Sequence, residues 1–286
     1  MQTLTPLKDA GRSEEIFEID CVSDAPTRQA QIDAAVALNL PVVQYRAHRK
    51  GKLAIVASGP SATDYVDMLK EWDGEIWGIN GAFEWMRHRG IKPHAFIGLD
   101  PEWFLKDYLP NPPEDATYYL AAQVHPGVFE HLRDRNVKLW FMADGEVKLP
   151  IGSIPIPGGS SCLGRAPYLA CYMGWSDVHI FGGDSSFTDR YHVHDDPGGL
   201  PSNCVPAEVN GRTFVTTRTF MTQACNMVEI IQNFPGSITV YGDGLMQALA
   251  ELQKQSGVEE YLKAEESKEF SGMNRKQRRA LRKTAA

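Results

Sequence analysis

Nowhere in this chain do apolar residues run long enough to cross a bilayer, which sets the membrane-spanning classes aside. The opening stretch "MQTLTPLKDAGRSEEIFEID" lacks the charged-then-apolar pattern of a secretion signal. Cysteine is sparse. The five residues (Cys21, Cys162, Cys171, Cys204 and Cys225) are odd in number, scattered, and never form a C-x-x-C pair. That spacing argues against a disulfide framework or a zinc ribbon, and with the missing signal it leads us to expect a cytoplasmic protein. Phosphate-binding signatures are missing as well. There is no G-x-x-x-x-G-K-[ST] loop, and no G-x-G-x-x-G follows the first strand-like run. A G-x-S-x-G nucleophile elbow is also absent.

What is present is ordinary in bulk and uneven in distribution. With 286 residues, 43% of them hydrophobic and 23% charged, the chain can bury a sizeable core. The net charge is −7, yet the end "MNRKQRRALRK" gathers Arg275, Lys276, Arg278, Arg279, Arg282 and Lys283 without one acid. The acidic body is a poor general binder of nucleic acid, because phosphate contacts need a basic surface. The basic tail can contact nucleic acid or an acidic partner, or can simply be a solvated helix.

Short apolar runs alternate with helical patterns from residue 51 onward. Strands are expected at 53–58, 75–80, 94–100, 117–123, 138–144, 177–184 and 237–243. Between them lie amphipathic stretches such as "SATDYVDMLKEW", with Ser61 as a candidate N-cap, and "CLGRAPYLACYMG", helical despite Pro167. Residues 185–212 show no clear period. This rhythm predicts an α/β fold, a doubly wound, Rossmann-like and mainly parallel sheet. A helical N-terminal extension (1–50) precedes the main domain (51–252), and a helical basic tail (253–286) follows it.

In such sheets ligands bind beyond the C-terminal strand ends, where helix N-termini offer free N–H groups. Small and polar residues gather there repeatedly: Gly59-Pro60-Ser61, Asn80-Gly81, Asp100-Pro101, Gly158-Gly159-Ser160-Ser161 and Gly182-Gly183-Asp184. Each alone reads equally as a helix start or a cap. Together they suit a nucleotide, since glycine admits phosphate to the backbone, serine donates to it, and Asn or Asp can hold ribose or base.

The segments "AIVASGPSA", "IWGIN", "FIGLDP" and "GGSSCLGRAPYLACYMGWSDVHIFGGDSSF" occur in the order of a known signature. Over about residues 50–250 the chain resembles the DUF115 group, which takes in the MptE-like 6-hydroxymethylpterin diphosphokinases and the Maf flagellin glycosyltransferases. That group is related to bacterial sialyltransferases that use CMP-sugars. The resemblance implies that Gly59, Pro60 and Ser61 lie at the nucleotide phosphates and that Asn80 contacts the nucleotide. It further implies that Gly159, Ser160 and Ser161 face the donor, and that Gly182 and Asp184 form the matching strand end. Ala57 and Ala62 stand where the family carries glycine and leucine.

In the sialyltransferase relatives a loop histidine after this strand acts as general base toward the acceptor hydroxyl. His194, or else His192, of "YHVHDD" occupies the equivalent loop, and imidazole has a suitable basicity. The leading expectation is therefore a transferase using a CMP-type sugar donor and an unidentified acceptor, without a metal cofactor. A second is a diphosphokinase using ATP with Mg²⁺, for which Asp100, Asp184 and Asp189 are candidate ligands. His192, His194, Asp195 and Asp184 have ligand chemistry but no diagnostic metal spacing. A third is a scaffold that keeps the fold and acts through its tail. Trp72, Trp77, Trp85 and Trp103 read as core or rim packing, and Cys162 and Cys171 as small hydrophobes of a helix.

Overall fold

The computed structural model describes residues 23–159, 161–190, 192–194 and 199–256. Ser160, Asp195, Asp196, Cys21 and the basic run at 275–283 lie outside the described residues. Helix α1 (Ala25–Ala37) opens the described chain, capped by Asp24, whose carboxylate accepts the Thr27 N–H at 2.8 Å. Strands β1 (Leu53–Val56), β2 (Glu75–Ile79), β3 (Ala95–Gly98), β4 (Thr117–Ala121) and β5 (Asn136–Met142) follow. Helices α2 (Val66–Lys70), α3 (Gly81–His88) and α4 (Pro126–His131) alternate with them. Then come β6 (Pro155–Ile156), α5 (Cys162–Tyr172), β7 (Asp177–Phe181), the hairpin β8 (Val205–Val209) and β9 (Arg212–Thr216), α6 (Arg218–Asn233), β10 (Ser237–Val240) and α7 (Leu245–Ser256).

Eight strands form one parallel sheet in the order β10-β7-β1-β2-β3-β4-β5-β6. The chain adds β2 to β6 on one side of β1, then returns to place β7 on the other side. The order therefore reverses between β1 and β7, and the crevice above those two strands is the topological switch point. Strand β1 is buried throughout. Leu53 and Ile55 pack into the core on one face, and Ala54 and Val56 into the core on the other. A continuous apolar run such as "LAIV" is what a strand covered on both faces requires.

Two elements differ from the sequence expectation. The helix expected from residue 61 to 72 begins as a 3-10 turn, Pro60–Tyr65, before α2. Gly59, not Ser61, holds its cap position, and the Ser61 side chain is drawn elsewhere. The aperiodic stretch 185–212 contains most of the β8–β9 hairpin. Its turn residues, Asn210 (φ 51°) and Gly211 (φ 72°), both adopt the left-handed region that a two-residue Asn-Gly turn needs. Trp77 and Trp85 are buried, Trp72 packs against the core, and Trp103 is exposed at the rim. Among the described residues no helix is long and apolar enough to cross a membrane.

Candidate functional site

A cavity of about 490 Å³ lies along the C-terminal edge of the sheet. Its floor takes one residue or more from each successive strand end: Gly182 after β7, Gly59 after β1, Asn80 after β2, Asp100 after β3 and Gln123 after β4. Met142 closes the row at the end of β5. At roughly 4.8 Å between neighbouring strands, this row is long enough for two small molecules side by side. Of the residues expected from sequence, Gly59, Asn80, Asp100, Ser161, Gly182, His192 and His194 line the cavity. Pro60, Ser61, Gly159 and Asp184 do not, and Asp189 is exposed beside Arg190 and Thr188.

The turn after β1 is filled from inside the protein. Asp184 is buried, and its carboxylate accepts the Ser61 N–H at 2.8 Å and the Ser61 hydroxyl at 2.6 Å. A Cβ on Gly59 would collide with that same carboxylate and with the Gly182 carbonyl. Gly59 leaves room for Asp184, and the Ser61 N–H and hydroxyl both have their acceptor within the protein. Burial raises the Asp184 pKa, the two Ser61 hydrogen bonds oppose that shift, and Asp64 and Asp243 reinforce it.

Asn80 is held in a strained backbone conformation, φ 48° and ψ −130°, at the corner between β2 and α3. Such a conformation costs about 1–3 kcal/mol for a residue with a side chain. Its Oδ1 is buried on the cavity wall without a hydrogen-bond partner, so it is ready to accept from a ligand N–H or O–H. One strand further on, at the end of β3, Asp100 accepts the Glu102 N–H at 3.0 Å through one oxygen. Burial raises its pKa, against the effect of that hydrogen bond and with the help of the Glu102 charge. Helix α5 points its N-terminus into the same space. Its cap, Ser161, accepts the Gly164 N–H at 3.0 Å, and the N–H groups of Cys162 and Leu163 have no acceptor within the helix. Burial raises the Cys162 pKa, which keeps this thiol protonated and unreactive.

The opposite wall is a strap carrying both histidines. Val193 N–H donates to the Ser58 carbonyl at 2.9 Å, and the Val193 side chain is buried in the core with Ala62 and Ala82. The flanking His192 and His194 rings stack 5.2 Å apart at 23°. His194 meets Tyr108 edge-on at 5.8 Å, and His192 approaches Phe220 at 6.3 Å. The strap starts from a segment fixed by the hairpin: Thr216 donates its hydroxyl to the Ser185 carbonyl at 2.7 Å, and Phe187 N–H to Val215 at 2.8 Å.

Sequence reasoning missed the residues that close the two ends. Thr219, Phe220 and Gln223 from the first turns of α6 line one end, and Ser23 and Arg28 the other. Arg28 is buried, its Nε donating to Asp144 at 3.0 Å while its other nitrogens bond Glu146 and the Ser23 carbonyl. An arginine at helical spacing from Ile32 and Ala35 was the available signal, since such a residue is buried only with a partner. Among the described residues, no group of three His, Cys, Asp or Glu side chains comes together as a metal ligand set.

The chain matches the family model described as 6-hydroxymethylpterin diphosphokinase MptE-like over residues 35–190, which ends just short of the histidine strap. Among solved structures it is similar to the MAf glycosyltransferase from Magnetospirillum magneticum AMB-1. The identity is 16% and the TM-score 0.58, with 85% of this chain and 42% of that chain covered. At this identity the likeness shows a shared fold, and the chain spans less than half the length of that relative. No curated protein sequence matches the chain.

Proposed function

From the premise that the chain belongs to the 6-hydroxymethylpterin diphosphokinase MptE-like family, we propose that it is a transferase that moves a sugar from a CMP-type donor to an acceptor hydroxyl. The observation that carries this reading is the meeting of His192 and His194 with the row of strand-end residues on one cavity at the switch point. The donor lies over Gly182, Gly59 and Asn80, with its phosphate toward the α5 N-terminus, where unpaired N–H groups and the helix dipole favour negative charge. The Asn80 Oδ1 accepts from the base or the ribose. The acceptor lies toward Asp100 and Gln123. Its oxygen bonds to the anomeric carbon as the bond to the nucleotide phosphate breaks. His194, or His192 beside it, takes the hydroxyl proton, and the phosphate leaves with the electron pair.

The family description favours one further reading, diphosphate transfer from ATP. The Mg²⁺ this needs would supply charge neutralisation at the phosphates. Of the three carboxylates expected to hold it, Asp184 is engaged by Ser61, Asp189 is exposed beside Arg190, and only Asp100 lines the cavity. Asp100 with the phosphate oxygens is therefore the set this chain offers. A thermal-shift screen of CMP, UDP, GDP and ATP, each with and without Mg²⁺, separates the readings. Stabilisation by CMP without metal is expected. A response to ATP only in the presence of Mg²⁺ would replace the first reading by the second, and no response to any nucleotide would overturn both in favour of a scaffold.

A further inference from the structure

Gly81, the first residue of α3, has no role in the chemistry above, yet it lies directly against the His194 ring of the histidine strap. A methyl group built on Gly81 would overlap the His194 ring, 2.7 Å from Nδ1 and 2.9 Å from Nε2. Nothing in the local backbone asks for glycine. Gly81 is absent from the positive-φ glycines, and alanine is the better helix former. What the missing side chain provides is room for an imidazole.

We propose that Gly81 is the seat of His194, a positioning residue that sets the imidazole over the junction of the donor and acceptor halves of the cavity. Three further contacts define the same placement. Val193 anchors the strap, its N–H on the Ser58 carbonyl at 2.9 Å and its side chain 4% exposed in the core. Tyr108 stands edge-on to the ring at 5.8 Å, and His192 stacks on it at 5.2 Å. The ring is thus bounded by α3 at the end of β2, by the 3-10 turn Trp103–Tyr108 after β3 and by its neighbour on the strap. Gly81 adjoins Asn80, assigned above to the donor, and Tyr108 ends the 3-10 turn that follows Asp100, assigned to the acceptor. General acid–base catalysis depends on hydrogen-bond reach, so displacing the ring by the width of a methyl group removes a proton acceptor from its place.

The inference rests on the proposed transfer reaction only in the consequence it gives to the seat, and the test keeps the two apart. In Gly81→Ala the melting temperature is expected to hold or rise. The His194 imidazole resonances, assigned by their loss in His194→Ala, are expected to shift in a long-range ¹⁵N–¹H spectrum. With the donor found in the nucleotide screen, kcat should fall about tenfold or more while the donor KM stays within about twofold. Gly81→Ala combined with His194→Ala should be no slower than His194→Ala alone. Unchanged His194 resonances in Gly81→Ala would overturn the seat. Shifted resonances with unchanged kcat would leave the seat standing and remove His194 as the base. Should Gly81→Ala fail to fold, Val193→Ala removes the anchor from the other side. Its His194 resonances are expected to broaden or shift, and their invariance would equally overturn the seat.

Discussion

Asp184 presents its carboxylate to the Gly59–Ser61 turn, which the family resemblance set at the nucleotide phosphates. Its two oxygens satisfy the Ser61 N–H and hydroxyl, and Gly59 and Gly242 leave the space it fills. Charge-assisted hydrogen bonds of this kind are among the stronger ones, and their loss in a buried setting leaves the donors without water to replace them. Asp184→Ala is therefore expected to cost about 3 kcal/mol in denaturant unfolding. Asp184→Asn, which keeps the shape and one acceptor, should cost about 1 kcal/mol. If Asp184 instead bound the donor directly, the two variants would leave stability nearly intact and abolish the nucleotide thermal shift.

At the scale of elements, helix α1 acts as a clamp across the end of the cavity. Arg28 bonds Asp144 and Glu146, Gln29 exchanges hydrogen bonds with the Lys148 backbone at 2.7 and 3.1 Å, and Gln31 donates to the Pro101 carbonyl at 2.9 Å. Arg28→Met would leave Asp144 buried without its counter-charge, so a loss of about 3 kcal/mol in denaturant unfolding is expected. Replacing Asp144 by leucine in the same chain should recover part of that loss, and no recovery would mean that packing, not charge, holds the clamp. The helix itself was legible from Ile32, Ala35, Val36 and Leu38 at helical spacing, of which Ile32 and Ala35 are buried while Val36 and Leu38 are exposed. Its partner loop was not, since it lies more than a hundred residues away. The same division runs through the fold. Strands such as "LAIV" announce themselves by continuous apolar character, and the row of cavity residues follows from counting one or two places past each strand. The Ser61–Asp184 pair joins two sites that both looked like ligand contacts, and only their proximity shows that they satisfy each other. The hairpin carried a readable Asn-Gly turn, but its short, half-exposed strands gave too weak an alternation to be read as a pair.

Across the whole molecule, carboxylates and a histidine shifted by burial pull the pH dependence of stability in opposite directions. Burial raises the pKa of Asp184 and of Asp100. A raised folded-state pKa adds stability below the unfolded value, about 3.8 to 3.9, and that stability is lost as pH rises through the folded value. His179, on β7, behaves in the reverse sense. Burial lowers its pKa and the Lys52 charge assists, while Asp177 opposes through its charge and hydrogen bond. In the neutral ring Nε2 donates to Asp177 at 3.2 Å and Nδ1 accepts from the Tyr241 hydroxyl at 3.0 Å, with Trp72 edge-on at 4.8 Å. The fold thus prefers neutral imidazole, and the associated stability is present above the unfolded pKa of about 6.5 and lost as pH falls through the lowered folded value. Urea midpoints of the wild type and of His179→Gln, measured from pH 7.5 to 4.5, isolate this contribution. The wild-type advantage should be largest above pH 6.5 and shrink on acidification, while Asp184→Asn should remove part of the opposing rise at the acid end. An advantage that stays constant across that range would mean that His179 takes up its proton equally well in the folded and the unfolded chain, and that β7 and the Tyr241 segment are held together by packing alone.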